Sequence, residues 1–109
     1  MAKIGRLPRA EFGSREYRTV RTPWFLLKTK KNDGKGARIG VVAGKSVEKT
    51  AVKRNFWKRQ SRAVLQSVLH GDQDALVIVY PGVRAATRKQ FRDALMKTAK
   101  QYRRRTLKN

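Results

Sequence analysis

The sequence predicts one α+β domain, a two-layer α/β sandwich in which a small sheet is covered by helices on one face. Three observations carry that prediction. Residues 50–69 and 87–102 place apolar side chains at helical spacing, and residues 24–28, 38–43 and 74–80 are short runs rich in aliphatic, β-branched or aromatic residues. A length of 109 residues with 39% hydrophobic content supports one modest core and not two.

The single domain is expected to span 1–109, with 1–22 as a variable N-terminal lead-in and 103–109 as a basic tail. Pro8 suits the first position of a short helical turn, because its fixed φ is already helical, and Gly13 and Ser14 limit that turn. From 15 to 21 charged and apolar residues alternate, with Tyr17 and Val20 as buried or nucleotide-facing members. Pro23 then introduces the strand Trp24-Phe25-Leu26-Leu27-Lys28. Asn32-Asp33-Gly34 supplies residues that tolerate positive φ, so this strand and the run at 38–43 are expected to pair as a β-hairpin. Within the return strand Gly40 marks a bulge or a close approach by another group.

The first long helix is expected to start between Val47 and Thr50 and to end at about Leu69, stopped by Gly71. At about 100° per residue, Val52, Phe56 and Ala63 fall on one arc and Trp57, Val64 and Val68 on the next, so both arcs are assigned to the core. Arg54, Lys58 and Arg62 recur every four residues on the other side. No acidic residue in this helix offers any of them an i,i+4 partner, which favours an external polyanion over a solvated ion-pair face. The near-continuous apolar run at 74–80 reads as a central strand, ended by Pro81-Gly82. Thr87 is placed as the N-cap of a last helix whose core stripe is Phe91, Leu95, Ala99 and Tyr102. Its outer face carries Arg88, Lys89, Arg92, Lys97, Lys100 and Arg103, and the run Arg103-Arg104-Arg105 suits nonspecific RNA binding.

Charge narrows the function. The chain has 28 Lys+Arg against 7 Asp+Glu, a formal net charge of +21, and so large an excess calls for a polyanionic partner, of which nucleic acid is the first. A membrane partner is not expected, since no apolar run approaches the ~20 residues of a span. With no cysteine and no export signal the expected location is cytoplasmic. The carboxylates are scattered apart from Asp72 and Asp74, and His70 is the one histidine, placed at a helix end where solvation explains it. Metal-dependent hydrolysis needs converging carboxylates and acid–base catalysis a positioned pair, so no catalytic residue and no metal site is assigned to the polypeptide. Gly44-Lys45-Ser46 looks like the end of a phosphate-binding loop. However, three residues separate Gly40 from Gly44 where that motif has four, which excludes a P-loop nucleotide site.

The run R-I-G-V-V-A-G-K-S at 38–46, followed by A-V-K-R-N-F-W-K-R-Q-S-R at 51–62, resembles the protein subunit of bacterial ribonuclease P. Arg38, Gly40 and Lys45, then Arg54, Asn55, Lys58, Arg59 and Arg62, occupy the basic, glycine and asparagine positions of that family's motif, and the likeness extends over about 24–102. The resemblance implies a small mixed sheet with a left-handed βαβ crossover through the motif helix, a build shared with the second domain of a small-subunit ribosomal protein. It also implies that the chain binds the RNA of ribonuclease P and the 5′ leader of precursor tRNA. Together they form an endonuclease that removes the leader, with catalysis supplied by the RNA and its magnesium ions and no small-molecule cofactor.

The implied RNA-binding residues are Arg38, Lys45, Lys53, Arg54, Asn55, Lys58, Arg59 and Arg62, with Asn55 suited equally to holding backbone and to touching RNA. Phe12, Tyr17 and Phe25 are the candidates for a leader cleft. Members of the family carry a longer N-terminal helix than Gly13 and Pro23 permit here, and paired lysines where this chain has Gly44-Lys45-Ser46. Two other classes share the size and charge. One is a ribosomal structural protein. The other is a self-sufficient ribonuclease, which would have to act through His70 or Asp72 and Asp74.

Overall fold

A computed structural model describes residues 4–14 and 16–107, with side chains described up to Gln101. Tyr102 and the arginines at 103–105 therefore lie outside the described side chains. In chain order the elements are β1 (Gly5–Arg6), a 3-10 turn (Arg9–Glu11), β2 (Arg18–Arg21), β3 (Phe25–Lys31), β4 (Arg38–Val42), α1 (Ala51–Val68), β5 (Gln73–Val79), a second 3-10 turn (Pro81–Ala85) and α2 (Arg88–Leu107).

The sheet has five strands in the order β1-β4-β5-β3-β2. β5 sits at its centre, parallel to β4 and antiparallel to β3. Alanine and branched aliphatic residues fill its middle, with Ala75, Leu76 and Val77 buried on both faces. That strand overturns the expected hairpin, because β3 and β4 are not neighbours: β5 lies between them. The glycine-rich loop spans β5, and two side chains hold it there. Asn32 donates from Nδ2 to the Gly36 carbonyl at 2.8 Å and to Asp74 Oδ1 at 2.7 Å, while Asp72 Oδ1 accepts from the Gly36 N–H at 2.8 Å. Gly34 and Gly36 take φ near +70°, the positive values expected of this turn. The true hairpin joins β2 to β3 through Thr22, Pro23 and Trp24, where Thr22 Oγ1 accepts from the Phe25 N–H at 3.1 Å. The lead-in is thus part of the sheet, contributing β1 at one edge and β2 at the other.

Both helices pack on one face of the sheet. Phe25, Leu27, Ile39, Ala75, Val77 and Val79 from the strands meet Trp57, Val64, Leu65 and Val68 from α1 and Phe91, Leu95 and Ala99 from α2. Trp57 and Phe91 meet edge to face at 5.0 Å, and Phe25 and Phe91 at 5.8 Å. The buried stripe of α1 is Trp57, Ser61, Val64, Leu65 and Val68, which corrects one of the two arcs assigned to the core. Phe56 is only half-buried, Ala63 is exposed and Val52 is 75% exposed. A helix lying on a sheet buries a stripe about 100° wide, and Val52 falls outside it. α2 opens with a reciprocal capping box, in which Thr87 N–H donates to Gln90 Oε1 at 2.9 Å and Gln90 N–H to Thr87 Oγ1 at 3.1 Å.

The second face is only partly open. The 3-10 turn and Phe12 lie over it, and the Phe12 ring explains Gly40: a Cβ there would stand 2.8 Å from Phe12 Cε1 and 3.2 Å from Leu76 Cδ1. Farther along β5, Asp74 stands in register between Lys30 of β3 and Arg38 of β4.

Candidate nucleic-acid interface

The sequence of α1 begins with cations where a helix normally gathers acids. Thr50 caps it by accepting from the Lys53 N–H at 3.3 Å, and no acidic residue lies in the first turn. Lys53 and Arg54 therefore stand at the positive end of the helix dipole, an arrangement that weakens the free helix and suits a bound anion. Arg54 turns back over the preceding loop, within 3.4 Å of the Glu48 carbonyl.

Farther along, Asn55, Lys58, Arg59 and Arg62 line one cleft of about 510 Å³ with Arg6 of β1 and Val41 of β4, and Val52 forms part of its rim. Arg6 reaches this side because β1 pairs in parallel with β4 and places Arg6 level with Ile39, a core residue beneath the helices. Among the described residues no carboxylate lines the cleft. Burial, followed by repulsion from Arg6, holds the Arg62 guanidinium below its ordinary pKa.

Lys45 is exposed in the turn before α1, close in sequence but not among the cleft residues. Arg38 does not join the basic face at all. It sits on the second face of the sheet and forms a fork on Asp74, with Nε to Oδ1 at 2.7 Å and Nη2 to Oδ2 at 2.8 Å. That hydrogen bond raises the Arg38 pKa. Burial alone would raise the Asp74 pKa, but the hydrogen bonds from Arg38 and Asn32 and the charges of Arg38 and Lys30 outweigh it and leave the carboxyl below its ordinary value. In the free chain Arg38 thus serves a structural ion pair on the second face, apart from the cleft residues of α1.

The leader-cleft candidates divide as well. Phe25 is 0% exposed in the core, so it presents no ring to a ligand. Tyr17 is half-buried with its hydroxyl enclosed and without a partner among the described residues, its ring 5.1 Å from Lys30 Nζ, and burial pushes its phenol up to about 12. Phe12 alone remains at the edge of the open part of the second face, half-exposed above Gly40. Arg6 escaped the sequence reading because its place depends on an edge strand of two residues. Among the described residues no group of acids and histidines converges to hold a metal ion, and His70 is exposed just beyond α1.

A half-covered mixed sheet with a cation-lined helix beside it defines a small basic α+β protein whose cleft has the charge to suit a polyanion. Comparison with known proteins makes the class specific: the family model for Ribonuclease P matches residues 9–103, and the chain belongs to that family. It is 39% identical over 56 residues to the Ribonuclease P protein component of Pseudanabaena sp. (strain PCC 6903), a stretch covering 51% of this chain and 48% of that protein. With the Ribonuclease P protein component of Ralstonia pickettii (strain 12J) it shares 42% identity over 59 residues, 52% of this chain and 42% of the other. The chain thus spans less than half the length of these curated relatives. The fold matches the RNase P protein of Staphylococcus aureus with a TM-score of 0.79 at 24% identity, covering 92% of this chain and 96% of that one. It also matches the RNase P protein of Thermotoga maritima, solved with 1-(4-fluorophenyl)-2-thiourea, with a TM-score of 0.69 at 22% identity, covering 79% and 86%.

Proposed function

We propose that the chain is the protein subunit of a ribonuclease P, docking the catalytic RNA on α1 and assisting removal of the 5′ leader from precursor tRNA in the cytoplasm. The observation that carries this is the cleft in which Asn55, Lys58, Arg59 and Arg62 converge with no lining carboxylate among the described residues, in a chain of this family. Each guanidinium or ammonium group that meets a phosphate releases counterions, so binding is tight at low salt and falls steeply as salt rises. Lys45, Lys53 and Arg54 extend the same charge along the preceding turn and the first turn of α1. Hydrolysis is assigned to the RNA and its magnesium ions, which suits a polypeptide whose buried carboxylate, Asp74, is already committed to Arg38.

The leader is assigned to the open part of the second face, between Phe12 and the partly exposed Val42, Ile78 and Lys28. There a half-exposed ring offers a stacking surface and the neighbouring cation a phosphate contact. The test combines the chain with a bacterial ribonuclease P RNA and precursor tRNA at low magnesium. Leader removal should be stimulated, and Arg59→Ala should weaken RNA binding and reduce its salt slope by about one unit. Tight binding to ribosomal RNA without stimulation would point to a ribosomal role, and cleavage by the protein alone would overturn the assignment of catalysis.

A further inference from the structure

Arg6 and Arg62 reach the same cleft from different elements, one from an edge strand and one from a helix. Strand β1 is held by backbone bonds on either side of Arg6, from Gly5 N–H to the Ala37 carbonyl at 2.8 Å and from Leu7 N–H to the Ile39 carbonyl at 3.0 Å. Leu7 is buried, so the strand cannot swing away freely to separate the charges. Among the described residues the salt bridges all involve Glu11 or Asp74, and none reaches Arg6 or Arg62. Like charges held together without a counter-ion are unfavourable in the free protein and become favourable when an anion lies between them. Beside them the 75%-exposed Val52, together with Val41, which packs partly buried against the core, gives the cleft an apolar side.

We infer that the cleft is a clamp for one phosphodiester of an RNA strand, closed by Arg6 from the sheet edge and Arg62 from α1, with Val41 and Val52 against the adjoining ribose. Two guanidinium forks match the unesterified oxygens of a phosphodiester, and the C–H faces of a ribose suit branched aliphatic side chains. Asn55, with a donor and an acceptor, lines the same cleft and suits a 2′-hydroxyl or a base edge chemically. This inference rests on the preceding proposal that the partner is RNA.

The experiment measures binding of the full chain to a bacterial ribonuclease P RNA across a range of salt. Arg6→Ala and Arg62→Ala should each weaken binding by about tenfold, and the double substitution by clearly less than the product of the two. Arg6→Lys should recover only part of the loss, and Lys97→Ala on α2, a change of equal charge elsewhere, should have a smaller effect. The free Arg6→Ala protein should melt no lower than the parent, since a repulsion has been removed. p-Benzoylphenylalanine in place of Val52, an exposed position, should photocrosslink to a single nucleotide.

Parent-like binding by Arg6→Ala would overturn the clamp while leaving RNA docking intact, as would fully multiplicative losses. If Arg6→Ala fails to fold, the crosslink decides, and scattered or absent crosslinks count against the clamp. Failure of the parent chain to bind the RNA would overturn the docking proposal itself.

Discussion

Among single residues, Asp74 is the acid toward which Lys30, Asn32 and Arg38 all turn. It is fully buried and accepts from Arg38 at two oxygens and from Asn32, so that one carboxylate ties together β4, β5 and the loop that crosses between β3 and β4. Asp74→Asn would leave the Arg38 guanidinium, its side chain only 13% exposed, without a counter-charge. The expected cost is about 3–5 kcal/mol, read from urea or thermal unfolding. The pH dependence follows from the direction of the shift. Because the folded pKa of Asp74 is lowered, its stabilisation is complete above the ordinary carboxylate value of about 3.9 and is lost as pH falls through the lower folded value. Glu11, lowered by its 2.7 Å hydrogen bond to Lys30 and by the charge of that lysine, loses its contribution in the same acid window. Melting temperatures should therefore decline below about pH 4, and removing the Asp74 carboxylate should flatten that decline.

At the scale of elements, two placements can be tested separately. Gly40→Ala would put a methyl group 2.8 Å from the Phe12 ring and should destabilise the protein by about 1–3 kcal/mol. Combining it with Phe12→Ala should cost less than the sum of the two changes, because the clash has gone; additive losses in a denaturant titration would show that the ring is not seated there. The start of α1 presents the opposite balance between stability and binding. Lys53→Glu places a negative charge at the positive end of the dipole and should stabilise the free protein by about 0.3–1 kcal/mol. The same change should weaken RNA binding, so a melting curve and a binding isotherm should move in opposite directions.

For the molecule as a whole, a formal net charge of +21 acts on folding and on association with opposite sign. Salt screens self-repulsion within the folded chain and also competes with its cations for phosphate. Raising sodium chloride from about 20 to about 200 mM, across which the Debye length falls severalfold, should raise the melting temperature of the free protein while lowering its affinity for RNA. Parallel movement of the two would mean that charge repulsion does not limit the stability of this fold.

The α+β class, the two helices, the apolar central strand and the basic character of α1 were legible from residue order alone, because each rests on local periodicity and composition. Thr87 as a cap was legible for the same reason, whereas residues 38–62 were read through their resemblance to a known family. Strand order was not legible: the loop after β3 has the residues of a hairpin turn, and only the burial demand of β5 inserts that strand between β3 and β4. Nor could periodicity separate Val52 from the core, or the resemblance show that Arg38 stands on the other face of the sheet, since both depend on which neighbour stands across the sheet or helix. Arg6 shows the limit most directly. A two-residue edge strand carries almost no sequence signal, yet its pairing with β4 brings that guanidinium into the cleft with Arg62.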